Sequence, residues 1–146
     1  LFLIYGMLAM GMAMEYTGAA GWLAGNIVTG VQHLVPAAHQ GIIMLACLYL
    51  ITSVLTEALS NNAVAALMAP IAFGVGVNLD MDPRPFIVAV AFAASAVFAT
   101  PIGYQTNTYV YGVGGYRFSD FMKIGLPLNA LCFTIAMFVI PRVWPF

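Results

Sequence analysis

A chain of 146 residues that is 63% hydrophobic and only 6% charged cannot be an ordinary soluble domain. Soluble domains carry roughly 25% charged residues, and a chain this short needs many polar positions to cover its surface. The net charge of −1 offers no basic surface for nucleic acid or for acidic lipid. The composition therefore specifies a polytopic membrane protein in the lipid bilayer. Its fold class is all-α, since runs this apolar satisfy their backbone polar groups as helices. Cys47 and Cys132 both lie inside apolar runs and read as small buried hydrophobes, not as a disulfide or metal pair.

Residue 1 is already inside an apolar run, with no basic leader and no small-residue cleavage site. The expectation is a fragment whose upstream half is missing. Residues 1–14 read as the end of a spanning helix and Glu15 as its break. The chain then continues over 16–31, with Gly18, Gly21 and Gly25 spaced for close helix contact. That piece of the 1–31 unit either extends the span or lies as an interfacial arm. Residues 31–40, with His33, Pro36 and His39, form a loop, and neither histidine has an Asp, Glu or Cys at metal-ligand spacing.

Residues 41–59 approach the roughly 20 needed to cross the hydrocarbon, whereas 63–77 fall short of it. Only the polar tip at 60–62 separates them, the end of the polar cluster Thr56, Glu57, Ser60, Asn61 and Asn62. The segment 41–77 is therefore predicted to be a helical hairpin dipping into the membrane. Residues 78–85, with Asp80, Asp82 and Arg84, form an aqueous loop. A broken helix follows over 86–113: an apolar half over 86–99, a stop at Thr100 and Pro101, and a second half over 108–113. Arg117, Asp120 and Lys123 mark the next aqueous boundary, 124–140 is the last span, and Trp144 sits at an interfacial end. This topology puts two basic residues on each side, so charge bias leaves the orientation open.

Irregular backbone at membrane depth is tolerated only where protein or a cavity surrounds it, and in secondary transporters such breaks mark the binding site. Ser60 and Asn61 directly precede an Ala-rich helix, where N-caps belong. A helix starting there aims free N–H groups and about half a positive charge at its ligand. The membrane runs contain no Lys or Arg, so an anion would be balanced by helix termini and co-bound cations. At the second break, Pro101 removes a backbone donor, Gly103 relaxes the chain, and Gln105, Thr106 and Asn107 can cap the following half-helix. Carbonyls freed around 99–101 suit sodium. An ordinary cap at the first break and a proline kink at the second would use the same residues. Glu57 is the one acidic residue well inside a membrane segment. Three roles are open to it: ordering the hairpin by hydrogen bonds, holding a cation, or carrying a proton. An intramembrane enzyme is disfavoured, since the spans hold no Ser/Lys, Asp/Asp or His/Glu constellation.

At these residues the chain resembles the divalent-anion/sodium symporter family, which contains citrate, dicarboxylate and sulfate carriers. That family carries a Ser-Asn-Thr signature at each of two hairpin tips, often after a Thr-Glu pair, and a helix break at a Thr-Pro. TEALSNNAVAALMAP and ATPIGYQTNTYVYG stand here in the same order and spacing, and the resemblance covers essentially all 146 residues. It implies an elevator-type carrier of two inverted repeats, of which this is the C-terminal one, working as a homodimer in a bacterial inner membrane. It also implies that the hairpin opens from outside, with Arg84 outside and Arg117 and Lys123 in the cytoplasm. The candidate substrate residues are Ser60, Asn61, Asn62, Thr100, Pro101, Thr106 and Asn107. The candidate sodium ligands are Ser60, Asn61, Ala99 and Pro101, and no other cofactor is implied. Asn62 replaces the signature Thr, and PIGYQTN replaces the Pro-Pro-Asn form of dicarboxylate carriers. The latter resembles the sulfate-type branch, leaving sulfate and carboxylates both open. Two other readings compete: a proton- or sodium-linked antiporter or oxyanion exporter with a titrating Glu57, and a non-transporting assembly module.

Overall fold

The computed structural model describes residues 6, 9, 12–14, 16–32, 35, 36 and 39–146. Among the described residues, six helices can be bounded in chain order: α1 (Ala19–Gln32), α2 (Gln40–Thr56), α3 (Asn61–Asn78), α4 (Arg84–Ser95), α5 (Gln105–Gly114) and α6 (Phe118–Val143). No strand occurs among the described residues. Most of the helix expected over 1–14, the break at Glu15 and His33 lie outside them.

The hairpin arms are nearly equal, 17 residues in α2 and 18 in α3. This corrects the expectation of one long and one short arm. Asn61 and Asn62 belong to the first turn of α3 and not to the loop, because Ser60 in extended backbone caps the helix with its hydroxyl. Among the described residues, only Asn61–Asn78 and Phe118–Val143 form helices long and apolar enough to cross a membrane. At 1.5 Å per residue they measure about 27 and 39 Å, against about 30 Å of hydrocarbon. α3 ends in a Schellman motif with Asp80 at φ 56° in place of the usual glycine. There the Met81 N–H returns to the Gly76 carbonyl and the Asp80 N–H to the Val77 carbonyl.

The core forms around α4, which packs on both hairpin arms. Its buried positions, Pro85, Phe86, Ala89, Val90, Ala93 and Ala94, recur every four residues along one face. The alanines let α2 and α3 approach closely, in the manner of small residues in membrane helix contacts. Met44, Leu48 and Tyr49 of α2 and Val64, Met68 and Val75 of α3 complete this core. α1 packs on α3 through Ala20, Ala24 and Val28, which are buried. Gly74 of α3 sits against Ala24. The glycines expected to make close helix contact do so less than these alanines: a Cβ at Gly21 or Gly25 would meet open space. α5 buries none of its residues in this chain.

Candidate functional site

α4 stops at Ser95, earlier than Thr100, and nine residues, 96–104, are non-helical before α5 begins. The break is thus an unwound segment and not a proline kink. Apolar residues 96–99 could have stayed helical by composition alone. The backbone donors of Phe98 and Ala99, and that of Thr100 after them, are held by a side chain.

That side chain is Glu57. Its Oε1 accepts the N–H of Phe98 (3.2 Å) and Ala99 (3.0 Å), and its Oε2 accepts the N–H of Thr100 (2.8 Å). A fourth donor comes from α6, where Asn129 Nδ2 reaches Oε1 at 2.7 Å. The Thr100 hydroxyl returns a bond to the Glu57 carbonyl at 2.6 Å. A carboxylate at membrane depth costs about 2.5–3.5 kcal/mol. Hydrogen bonds to a charged group contribute about 1.5–3 kcal/mol each, so four neutral N–H donors offset that cost without a cation. Of the three roles open to Glu57, these bonds are those that the ordering role calls for.

Several further polar groups of the break are also paired. Fully buried Thr56 donates its hydroxyl proton to the Ala94 carbonyl (2.8 Å), and the Asn61 side-chain amide lies 3.2 Å from the same Oγ1. Asn107 Nδ2 spans the unwound loop, reaching the carbonyls of Val97 (3.1 Å) and Thr100 (3.3 Å). Thr108 Oγ1 donates to the Pro101 carbonyl at 2.8 Å. Gly103 is required by close approach. A Cβ there would lie 2.8 Å from the Thr56 carbonyl oxygen, 3.0 Å from that of Glu57 and 2.5 Å from Val97 Cγ1. The segment leading into α5 is thereby pressed onto the end of α2 at the hairpin tip.

The structure thus brings the two polar interruptions together. Asn61, Thr100, Pro101 and Asn107 are tied into the junction by hydrogen bonds, and Ala99 is buried in it. Ser60 caps α3 by accepting the Ala63 N–H at 3.4 Å. Asn62 and Thr106 are exposed on the first turns of α3 and α5. Of the carbonyls expected to be free for sodium, that of Pro101 already accepts Thr108. That of Ala99 receives no donor among the described residues. Sequence reasoning missed Asn129, Thr108 and Gly125. Asn129 was detectable as an amide inside an otherwise apolar span, but its partner lies 72 residues away. A groove of about 340 Å³, lined by Phe98, Asn107, Gly125 and Leu128 among others, runs beside the break. A second cleft of about 410 Å³ lies between α2, α4 and α6. Both are apolar, and Ser60, Asn61 and Asn62 line neither.

A family model described as "Citrate transporter" matches residues 1–83. The chain is 48% identical over 131 residues to "Uncharacterized transporter sll0640" of Synechocystis, covering 90% of the chain and 21% of that protein. It is 36% identical over 128 residues to "Sodium/sulfate cotransporter 2" of Chlamydomonas reinhardtii, covering 88% of the chain and 14% of that protein. It is 31% identical over 138 residues to "Solute carrier family 13 member 2" of rabbit, covering 94% of the chain and 22% of that protein. The chain spans about a fifth or less of the length of these relatives. With more than half of its length matched by that model, the chain belongs to the citrate transporter family, a family of membrane transporters and not of enzymes, among the divalent-anion/sodium symporters that its two motifs resemble.

Proposed function

We propose that this chain is the C-terminal repeat of a secondary carrier that moves a divalent anion, sulfate or a di- or tricarboxylate, coupled to sodium by an elevator mechanism. The observation that carries this reading is the junction made by Glu57. It joins the hairpin tip to the unwound break and so brings the two polar interruptions of the chain together. A membrane protein has no structural need to unwind nine residues, and transporters place their sites at such breaks. Helix N-termini favour anions, and the amide, hydroxyl and carbonyl oxygens of Asn61, Ser60, Ala99 and Pro101 are hard donors suited to sodium. Ser60, Asn61, Asn62, Thr100, Pro101, Thr106 and Asn107 would contact the anion. The sodium/sulfate names of several relatives support testing sulfate first. A second, inverted repeat, a bacterial inner membrane and a homodimeric assembly complete the proposal.

The test is uptake of radiolabelled sulfate and succinate by the full-length parent in proteoliposomes, with and without an inward sodium gradient. Sodium-dependent uptake of one anion is expected, with loss of at least about tenfold when Ser60 and Asn61 are changed to Ala. Folded protein that moves neither anion would overturn the reading.

A further inference from the structure

Helix α6 meets the junction twice on one face. At Gly125 it runs so close to the unwound segment that a Cβ would collide with the Phe98 carbonyl and lie 2.5 Å from Ala99 Cα. Asn129, one turn further on and on the same side, donates to Glu57 Oε1 at 2.7 Å. A carboxylate only accepts, so the amide must turn its NH₂ to Glu57. Its Oδ1 is then left buried with no partner among the described residues. Leucine would fill the same space in this apolar helix without an orphaned oxygen. Packing therefore does not account for an amide at this position, whereas its N–H does. The Oε1 it holds is the one that also accepts Phe98 and Ala99.

We propose that Asn129 is a positioning residue of the transport site. By gripping Glu57 Oε1 from α6, it sets the carboxylate, and through it the non-helical backbone at 98–100, in the geometry that binds sodium and the anion. It touches neither ligand itself. α6 thereby becomes a third arm of the junction. This rests on the transport reading above.

The test uses the full-length parent in proteoliposomes, with Asn129→Leu and Asn129→Gln. A structural role and a positioning role rank these variants in opposite order. Leucine packs better in an apolar helix, while glutamine keeps the NH₂ donor. The expected result is an Asn129→Leu protein that unfolds at a higher temperature than Asn129→Gln, yet needs about tenfold more sodium, or anion, than wild type for half-maximal uptake. Asn129→Gln should recover part of that affinity despite lower stability. Wild-type sodium and anion dependence in Asn129→Leu would overturn the proposal, as would affinities that follow the unfolding temperatures. Failure of both variants to fold would also count against it, since it marks a residue needed for assembly alone. Absence of uptake in the wild type would overturn the transport reading instead.

Discussion

At the scale of single residues, one carboxylate does most of the organising. Glu57 satisfies three consecutive backbone donors that α4 gave up when it unwound. Backbone N–H groups away from water must be paired somewhere, so the break and the carboxylate depend on each other. Glu57→Ala would strand those donors and the Asn129 amide. At about 1–3 kcal/mol per orphaned buried group, discounted because Glu57 is only partly buried, the expected loss is about 3 kcal/mol or more. It would be read as a lower unfolding temperature of the full-length protein in detergent, together with lost uptake. Wild-type stability in that variant would show that water replaces the carboxylate. The sequence marked Glu57 as the one acid at membrane depth and named its ordering role among three. It did not name the partners, because none lies within 40 residues of it.

At the scale of elements, helix ends are decided by competition for backbone donors. The apolar run over 86–99 looks helical throughout, and α4 nevertheless stops at Ser95. Composition registers Pro101, but it does not register an acceptor arriving from another helix. The hairpin tip behaves in the opposite way. Its polar residues look like a loop, and Asn61 and Asn62 are in fact helical because Ser60 caps them. Close approach then locks the elements together at Gly103 and Gly125, where the neighbouring atoms are largely backbone and cannot rotate away. Gly125→Ala should therefore push α6 off the break. Such overpacking costs about 1–3 kcal/mol, more than the roughly 0.5–1 kcal/mol that alanine gains over glycine in a helix. A lower unfolding temperature with weaker uptake is the expected outcome, and a more stable, fully active variant would show that α6 is not seated there.

At the scale of the whole molecule, the chain is an integral membrane protein whose outward surface is apolar. Val54, Val113 and Ile124 are each more than 70% exposed. α5 stands almost free of the rest, with Tyr109 and Val113 exposed. The tip residues Ser60, Asn61 and Asn62 line neither of the two clefts. Both features fit a proposal in which residues beyond this chain complete the site. The proposed topology makes a direct prediction for the full-length parent. A cysteine replacing Arg84 should react with an impermeant maleimide from outside the cell, and one replacing Lys123 only after permeabilisation. The reverse pattern would invert the repeat, and labelling of both from one side would remove the broken helix from membrane depth.

By itself the sequence determined the membrane environment, the helical class and the two places where apolar order fails. Those follow from local composition: few charges, long apolar runs, and caps and prolines that act on their own neighbours. Only the tertiary structure decided where the helices stop, what the buried acid holds and which later residue holds the acid in turn. These are contacts between Glu57 and residues 98–100 and 129. Periodicity carries no record of them, because a hydrogen bond between distant segments depends on the packing that brings them together.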